Sequence, residues 1–250
     1  MDSVRVVTTL HKDGYELYGK KFIDTWVEFF PKDWKITYYA EKHTPTFDSR
    51  IEVLDFNNAC LQWNDFYNHI QETVKPLVDK KAINRYRKAL RWSFKMFTLL
   101  DALNNSTERY VIWLDSDVYA TNSPEENWLL KIIEEKAIAG QLENAKGFPH
   151  IETGILIIDT KHQDITKIKK WIHQGYIGKA ILKEPKPWDG IWMAKLFLSN
   201  TVDAKCIQIV TQNNVAKPFS SHSMKWLTHY VGDRKFDHTY SGRSGRTKES

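Results

Sequence analysis

The chain has 250 residues, of which 42% are hydrophobic and 27% charged, and a formal net charge of +5. This length and composition predict one large α/β domain with a sizeable core and exclude a chain too polar to fold. The 36 basic residues are dispersed among 31 acidic ones, which supports a phosphate-bearing ligand weakly and disfavours nucleic acid as a partner.

The cysteines and the apolar runs bound the class of protein further. Cys60 and Cys206 show no C-x-x-C spacing, so the sequence predicts neither a zinc site nor a disulfide framework and favours a reducing compartment. The chain enters an apolar run near its start without a signal-peptide pattern, and no stretch approaches the roughly 18 apolar residues of a membrane span. We therefore expect a soluble, cytoplasmic protein.

The first 80 residues predict alternating strands and helices. Val4 to Leu10 is predicted as a buried strand, and Tyr15 to Phe30 as a helix with apolar residues near helical spacing. Lys35 to Tyr39 and Ile51 to Leu54 are predicted as two further strands. This β-α-β-β order is typical of a nucleotide-binding half sheet. The segment 57–81 carries no clear period and receives no assignment.

A long helix is predicted from Ile83 to Leu103. Arg87, Arg91 and Lys95 follow one another at intervals of a helical turn, so three cations share one stripe of this helix. A solvated helix surface is one interpretation of the stripe. The alternative is a phosphate-binding face, which is favoured because the helix directly precedes an acidic strand.

That strand lies in R-Y-V-I-W-L-D-S-D-V-Y-A, residues 109–120, where an apolar run ends in two carboxylates. The run predicts a strand buried on both faces of a mostly parallel sheet. Alternation along extended backbone places Asp115 and Asp117 on one side and Ser116 on the other, at the carboxyl end where such sheets bind ligands. Paired carboxylates favour a hard cation between them and a phosphate, and a solvated turn is the alternative.

The second half of the chain continues the α/β pattern. Ser123 followed by Pro124 predicts a helix start, and the helix is predicted to run to Lys136. Gly154, at the start of a strand, indicates either close approach of a ligand or a bulge. The other predicted elements are strands at 137–140, 155–158 and 204–210, helices at 160–175 and 191–197, a turn at 147–149, and loops at 185–190 and 217–228.

The last motif is H-Y-V-G-D-R-K-F-D, residues 229–237. His229, Gly232 and Lys235 stand at equal intervals and are suited to a metal ligand, close backbone approach and a phosphate charge. Residues 241–250, rich in Gly, Ser, Arg and Lys, predict a disordered basic tail. The folded domain is therefore expected to span residues 1–240.

In their order and spacing these segments resemble the GT-A glycosyltransferases, most closely the retaining glycosyltransferase family 8 group with its glycogenin-like and galactosyltransferase-like enzymes. The matching segments are I-W-L-D-S-D-V-Y-A at the D-x-D motif, E-T-G-I-L-I-I-D at an N-x-G segment, W-D-G-I-W-M-A-K-L-F at a helix start, and H-Y-V-G-D-R-K-F-D at H-x-x-G-x-x-K-P-W. Phe236 and Asp237 replace Pro and Trp, and Glu152 stands where the group has Asn. The resemblance implies a single GT-A domain with a Rossmann-like, mostly parallel sheet flanked by helices.

The resemblance also implies an activity. Asp115, Asp117 and His229 would hold Mn²⁺ or Mg²⁺ against the two phosphates of a nucleotide sugar. The enzyme would then be a metal-dependent hexosyltransferase, with a UDP-sugar as the favoured donor. The acceptor would be a glycan or another hydroxyl-bearing molecule, and transfer would proceed with retention.

Further donor contacts follow from the same resemblance. Arg91, Lys95 and Lys235 would neutralise the diphosphate. The backbone of Gly232 would lie against a phosphate, and Ser116 is assigned to the same cofactor-binding group.

The resemblance assigns the remaining residues to the two ends of the donor. Thr8, Asp13 and Tyr15, after the first strand, would meet the base or the ribose. Asp189 and Glu152 would face the sugars as the catalytic residues.

A second enzyme family also places D-x-D after an apolar strand. Haloacid-dehalogenase-like phosphatases later use G-D-x-x-x-D, which residues 232–237 match. Asp115 would then be the nucleophile, Asp117 a general acid/base, and Asp233 and Asp237 Mg²⁺ ligands. Tyr119 stands where that family has Thr or Val, and more than 100 residues precede the motif, so the transferase is favoured. A non-catalytic nucleotide-sugar- or glycan-binding protein is the third hypothesis.

Overall fold

The structure is a computed structural model of the chain, and it describes residues 3–47, 49–145, 148–207 and 226–229. For residues 142–145, 148, 228 and 229 it describes the backbone alone. Within these ranges no helix is both long enough and apolar enough to cross a membrane. The predicted tail at 241–250 lies outside the described residues, so the domain boundary at residue 240 stays a prediction.

The central feature is a seven-stranded sheet in which one strand is reversed. The strands of the described residues are β1 (Val4–His11), β2 (Lys35–Glu41), β3 (Ile51–Asp55), β4 (Tyr110–Leu114), β5 (Val118–Ala120), β6 (Ile138–Ala145), β7 (Phe148–Asp159), β8 (Ala204–Ile207) and β9 (Leu227–His229). The sheet order is β3-β2-β1-β4-β7-β6-β8, and β5 pairs with β9 separately. Only β7 runs antiparallel to its neighbours in the large sheet. The predicted mostly parallel α/β fold is confirmed.

Helices cover both faces of this sheet. They are α1 (Lys12–Gly14), α2 (Lys20–Phe29), α3 (Phe56–Ala59), α4 (Trp63–Val74), α5 (Lys80–Asn105), α6 (Trp128–Ile133), α7 (Ile165–Tyr176) and α8 (Asp189–Leu198). A π-helical segment (Tyr15–Gly19) joins α1 to α2, and a 3-10 turn (Ala180–Lys183) precedes α8.

The core lies in two layers, one on each face. Because successive strand residues face opposite sides, Val6 packs in the layer that contains Trp26 of α2, and Val7 packs in the layer that contains Phe97 of α5. All five residues of β4 are buried, as an unbroken apolar run predicts for a strand covered on both faces. Burial of this strand fixes where the D-x-D segment leaves the sheet.

The predictions for the first half of the chain are largely confirmed. The strands at 4–10, 35–39, 51–54 and 110–114 correspond to β1, β2, β3 and β4, and the long helix corresponds to α5. The unassigned segment 57–81 contains most of α3 and all of α4. Several predictions in the second half are wrong at their ends: α7 starts at Ile165, Phe148 and Pro149 belong to β7 rather than to a turn, and the predicted loop at 217–228 includes β9 residues.

The helix predicted from Ser123 is wrong at both ends, because α6 covers only six residues. Asn127 precedes α6 with a left-handed backbone, φ 58°, so the helix does not extend back to the Ser-Pro pair. Trp128, the first residue of α6, is buried, and its ring lies 4.7 Å from that of Trp226. Burial of this indole, rather than the local capping preference, decides where the helix begins.

Gly154 lies in a bulge, the second of its two predicted roles. Gly140 of β6 pairs with Leu156 of β7, whereas the next residue of β6, Gln141, pairs with Glu152. The β7 residues between these pairs have no partner on β6. A bulge frees backbone groups from the ladder and redirects side chains, and this one borders the D-x-D segment.

Candidate active site

A cavity of about 620 Å³ opens at the carboxyl ends of β1, β2 and β4. The bulged part of β7, the start of α8 and one side of α5 complete its walls. Because β7 is antiparallel, its bulge lies beside the end of β4, where Leu114 pairs with Ile155. Seven of the predicted site residues line the cavity: Arg91, Lys95, Asp115, Ser116, Asp117, Glu152 and Asp189.

The D-x-D segment is a turn, not an extension of the strand. The backbone N–H of Val118 donates to the carbonyl of Asp115 at 3.0 Å, and the N–H of Asp115 donates to the carbonyl of Gly154 at 2.9 Å. The prediction that strand alternation separates Ser116 from the two carboxylates is therefore wrong. The turn brings Asp115, Ser116 and Asp117 to the same cavity, because a tight turn has no two-residue alternation.

Lys95 joins two walls of the cavity. Its Nζ lies 2.8 Å from Asp115 Oδ1 and 3.2 Å from Asp189 Oδ2, and the Lys95 side chain is only 7% exposed. Burial by itself lowers the pKa of the Lys95 ammonium, but the charges of Asp115 and Asp189 outweigh it and hold the pKa above its usual range. The lysine is therefore charged, and it binds the D-x-D turn to the start of α8.

Thr153 and Trp113 complete the Lys95 network. Lys95 Nζ donates to the Thr153 carbonyl at 3.0 Å and to Thr153 Oγ1 at 2.9 Å, and that hydroxyl donates to Asp189 Oδ2 at 2.6 Å. Trp113 Nε1 donates to Asp115 Oδ1 at 2.7 Å. The Lys95 ammonium carries three N–H donors, and the oxygens of Asp115, Asp189 and Thr153 use all of them. These contacts make Lys95 a bridge between protein carboxylates, and its predicted role as a cation for the diphosphate stays a prediction.

The predicted cationic stripe of α5 divides at this point. The helix is buried from Lys95 to Leu100, whereas Arg91, one turn earlier, is exposed. The Arg91 guanidinium lies 5.2 Å from the ring centre of Trp92. Arg91 lines the cavity, and Arg87 does not. Of the three stripe residues, Arg91 thus remains in position to meet a ligand phosphate.

The three residues predicted to meet the base or ribose are outside the cavity lining. Thr8 is fully buried within the sheet, and Asp13 is exposed on α1. Tyr15 packs on Phe47, and its hydroxyl bonds to the backbone N–H and carbonyl of Thr46 at 2.9 and 2.8 Å. Thr8 does not line the cavity, whereas the next residue, Thr9, does.

Glu41, at the end of β2, is a cavity residue that sequence reasoning missed. Thr9 Oγ1 lies 2.8 Å from both Glu41 Oε1 and the carbonyl of Tyr39. The hydroxyl of Thr9 has one proton and can donate to only one of these two oxygens. A protonated Glu41 can donate its own proton to the Thr9 oxygen, so the contact favours the protonated form of Glu41 over the carboxylate. Burial raises the pKa of Glu41 to about 7, although the hydrogen bond with Thr9 acts in the opposite direction.

We predict that Glu41 makes stability pH-dependent. Because its pKa is raised from 4.5 in the folded chain, its stabilising contribution is present below about pH 4.5 and is lost as the pH rises through about 7. Relative to Glu41→Gln, which stays neutral, the wild type should lose about 1–3 kcal/mol of unfolding free energy between pH 5 and pH 8. Urea unfolding at both pH values measures this. Glu28→Gln, at an exposed position of α2, is the control, and an identical pH profile for wild type and Glu41→Gln would contradict the prediction.

The fold was compared with solved structures. Mouse xyloside xylosyltransferase 1 in its apo form superposes with a TM-score of 0.51 at 7% sequence identity, covering 82% of this chain and 85% of that chain. An active-site mutant of LgtC superposes with a TM-score of 0.52 at 14% identity, covering 91% of this chain and 87% of that chain. The chain has the GT-A fold. No protein-family model and no curated protein sequence matches it.

A GT-A fold implies a divalent cation at the D-x-D segment, and two features of the described residues are compatible with one. Asp115 Oδ1 is engaged by Lys95 and Trp113, whereas Oδ2 has no partner among the described residues. The backbone of His229 in β9 pairs with Val118, the residue after Asp117. Carboxylate oxygens suit Mg²⁺ and Mn²⁺, and an imidazole suits Mn²⁺. Within the described ranges no group of three or more His, Cys, Asp or Glu side chains forms a metal site, and the side chain of His229 is not among those described.

Of the other predicted site residues, Glu152 and Asp189 are described by the structure, and Gly232 and Lys235 are not. Glu152 lines the cavity, and its Oε1 accepts the N–H of Gly154 at 3.0 Å within the β7 bulge. Asp189 is 4% exposed at the first turn of α8. Gly232 and Lys235 lie outside the described residues, so their roles stay predictions.

Sequence reasoning also missed other lining residues, among them Thr9, Trp113, Thr153 and Trp188. Two of them carried a local signal. Trp113 stands two residues before Asp115 on the same strand, and Trp188 directly precedes Asp189. The roles of Thr9 and Thr153 depend on contacts across the sheet, so their positions in the sequence gave no signal.

Proposed function

We propose that the chain is a glycosyltransferase that moves a hexosyl group from a nucleotide sugar, a UDP-sugar in the first instance, to a hydroxyl of a glycan or similar acceptor. The observation that carries the proposal is the Lys95 network. It ties Asp115 of the D-x-D turn to Asp189 in one cavity of a GT-A fold. An ion pair that only stabilises the fold does not need to line a cavity. A donor site needs a cavity and charged groups that line it.

On the donor side, Asp115, Asp117 and His229 would hold Mn²⁺ or Mg²⁺. The cation, when bound, supplies Lewis-acid stabilisation to the leaving diphosphate. Arg91, exposed at the cavity, would contribute a further positive charge to the same group. Lys95 holds Asp115 in place by its 2.8 Å ion pair, so it positions this part of the site instead of contacting phosphate.

On the sugar side, Asp189 and Glu152 face the cavity as the predicted catalytic residues. Asp189 Oδ2 is held by Lys95 and Thr153, while Oδ1 has no partner among the described residues and is available to a sugar hydroxyl. A fixed carboxylate stabilises the oxocarbenium-like charge that develops as the diphosphate departs. We propose that the acceptor hydroxyl attacks on the face that the diphosphate leaves, which retains the configuration, and that the hydroxyl proton passes to the departing diphosphate as the bond between the sugar and the diphosphate breaks.

The alternative as a haloacid-dehalogenase-like phosphatase has no support in the fold comparison. Its Mg²⁺ ligands, Asp233 and Asp237, fall outside the described residues. The two enzyme hypotheses predict opposite results in one assay, because only a phosphatase releases phosphate from p-nitrophenyl phosphate. We expect no release, and release that is lost in Asp115→Asn would favour the phosphatase.

The proposal is tested by thermal unfolding with UDP-, GDP-, CDP- and ADP-sugars, each with and without Mn²⁺. We expect one donor class to raise the melting temperature by roughly 5 °C or more when it is present at about 100 times its Kd, and only with Mn²⁺. Asp117→Asn should lose this shift. Asp65→Asn is the matched control, because Asp65 is exposed on α4 and does not line the cavity. A shift that persists without metal and in Asp117→Asn would contradict the metal-dependent donor site.

Hydrolysis of the donor separates an enzyme from a binding protein. The same donor with Mn²⁺ should be consumed slowly in the absence of acceptor, because water enters an open cavity. A metal-dependent shift without any turnover would favour the non-catalytic hypothesis.

A further inference from the structure

Glu41 is a half-buried carboxyl group on the cavity wall, and no cation among the described residues pairs with it. The Thr9 hydroxyl lies 2.8 Å from Oε1, whereas Oε2 has no partner in the part of the chain that the structure describes. Desolvation raises the pKa of this carboxyl group to about 7. An acceptor that has lost water and gained no partner costs free energy, and a ligand N–H in the cavity would supply the partner.

The order of the strands places Glu41 at one end of the cavity. The sheet runs β2-β1-β4-β7, so the D-x-D turn after β4 lies between β1 and β2 on one side and the β7 bulge on the other. A nucleotide sugar has its diphosphate between the sugar and the nucleoside. With the diphosphate at the D-x-D turn and the sugar at Asp189, the nucleoside extends across β1 to β2, over two strand spacings or about 10 Å.

His11 places a hydrogen-bond donor next to Glu41. It lines the cavity, and it is the register partner of Glu41 across β1 and β2, so the two side chains leave the same face of the sheet. The N–H of Gly14 donates to His11 Nδ1 at 2.9 Å, so the proton of the neutral ring is on Nε2. Among the described residues this Nε2 has no partner. The cavity wall therefore offers a ligand one acceptor, Glu41 Oε2, beside one donor, His11 Nε2.

We propose that Glu41 and His11 select a nucleobase with a lactam edge, in which a ring N–H stands beside a carbonyl group. Glu41 would accept the N–H, and His11 would donate to the carbonyl oxygen. Uracil and guanine have this edge. Cytosine and adenine instead present a bare ring nitrogen beside an amino group, which would set a lone pair against the carboxylate and a second donor against the imidazole. The inference rests on the proposed function, because it takes the cavity to bind a nucleotide sugar.

The test measures the binding of nucleoside diphosphates with Mn²⁺ by calorimetry at pH 8. At this pH Glu41, with its pKa of about 7, is mostly a carboxylate, which accepts hydrogen bonds and donates none. UDP and CDP form one pair of ligands, and GDP and ADP form the other. UDP methylated at N3 is a further probe, because it keeps both carbonyl groups and lacks only the N–H.

Two glutamate variants are compared with the wild type. Glu41→Gln carries an amide that offers either an oxygen or an N–H, so it accepts both kinds of base edge. It should fold at least as stably as the wild type at pH 8, because it has no charge to bury. Glu28→Gln is the matched control, since Glu28 is exposed on α2 and does not line the cavity.

We expect the wild type to bind UDP or GDP roughly 30-fold more tightly than the paired CDP or ADP, as a hydrogen bond to a charged acceptor provides. The pair that shows the preference identifies uracil or guanine as the base. If it is uracil, N3-methyl-UDP should bind as weakly as CDP. Glu28→Gln should keep the preference, and Glu41→Gln should reduce it to about threefold or less.

His11→Asn separates the second contact from the first. Asparagine can still cap α1 at this position but is too short to place a donor where Nε2 lies. It should weaken the preferred nucleotide by roughly fivefold and change the affinity for its paired nucleotide little.

Two results would overturn the assignment of Glu41. One is equal affinity for the two members of both pairs in the wild type, and the other is a preference that Glu41→Gln retains in full. Failure of the proposed function is a different result. If no nucleoside diphosphate binds with Mn²⁺, the donor site is wrong, and the inference that rests on it is overturned as well.

Discussion

Replacing Asp189 by Asn is expected to lower sugar transfer by roughly 100-fold or more while donor affinity changes little. Asp189 Oδ2 is held by Lys95 and by the Thr153 hydroxyl, at 3.2 and 2.6 Å, so the carboxylate is fixed before any substrate binds. Asparagine keeps the shape of the side chain and removes its charge. Interactions that strengthen only as positive charge develops on the sugar are therefore lost, whereas binding of the intact donor is not.

The measurement is the transfer rate under saturating donor, beside the affinity for nucleoside diphosphate and Mn²⁺. Asp203→Asn is a suitable control, because Asp203 bears a surface ion pair with Lys136 and is not part of the cavity lining. Transfer at the wild-type rate would remove Asp189 from the catalytic residues. A parallel loss of donor affinity would show that Asp189 shapes the donor site as a whole.

Replacing Lys95 by Met is expected to lower the unfolding free energy by about 3–5 kcal/mol, because it leaves the buried Asp189 and the half-buried Asp115 without their shared cation. The side chains of Lys95 and Asp189 are 7% and 6% exposed, whereas Lys20 and Asp24 form an ion pair whose side chains are 47% and 44% exposed. Lys20→Met should therefore cost no more than about 1 kcal/mol. Urea unfolding of both variants gives the comparison.

A double variant isolates the cause of the Lys95 effect. Lys95→Met/Asp189→Asn removes one of the stranded charges, so it should be more stable than Lys95→Met alone. Were Lys95 instead a free cation for the diphosphate, Lys95→Met would fold with near wild-type stability and lose affinity for nucleoside diphosphate but not for nucleoside. That pattern would contradict the bridging role.

What the sequence leaves open is clearest at the end of the cavity that β1 and β2 form. The run V-R-V-V-T-T-L predicts β1 correctly because its β-branched residues suit a strand that is buried on both faces. For the same reason it lacks alternation, and nothing in it decides whether Thr8 or Thr9 reaches the cavity. Glu41 stands 32 residues from Thr9, and only the parallel register of β1 and β2 brings the two side chains together.

The sequence by itself determined where the strands of the large sheet lie, the long helix and the position of the acidic pair, because these follow from local apolar runs and from residue types adjacent in the chain. The prediction that a helix starts at Ser123 is wrong because the burial of Trp128, and not the local capping preference, decides where the helix begins. Only the tertiary structure decided that Arg91 stays exposed while Lys95 binds Asp115, Thr153 and Asp189. The partners of a buried charge are set by which segments the sheet brings together, and for Lys95 and Thr153 those segments lie 58 residues apart.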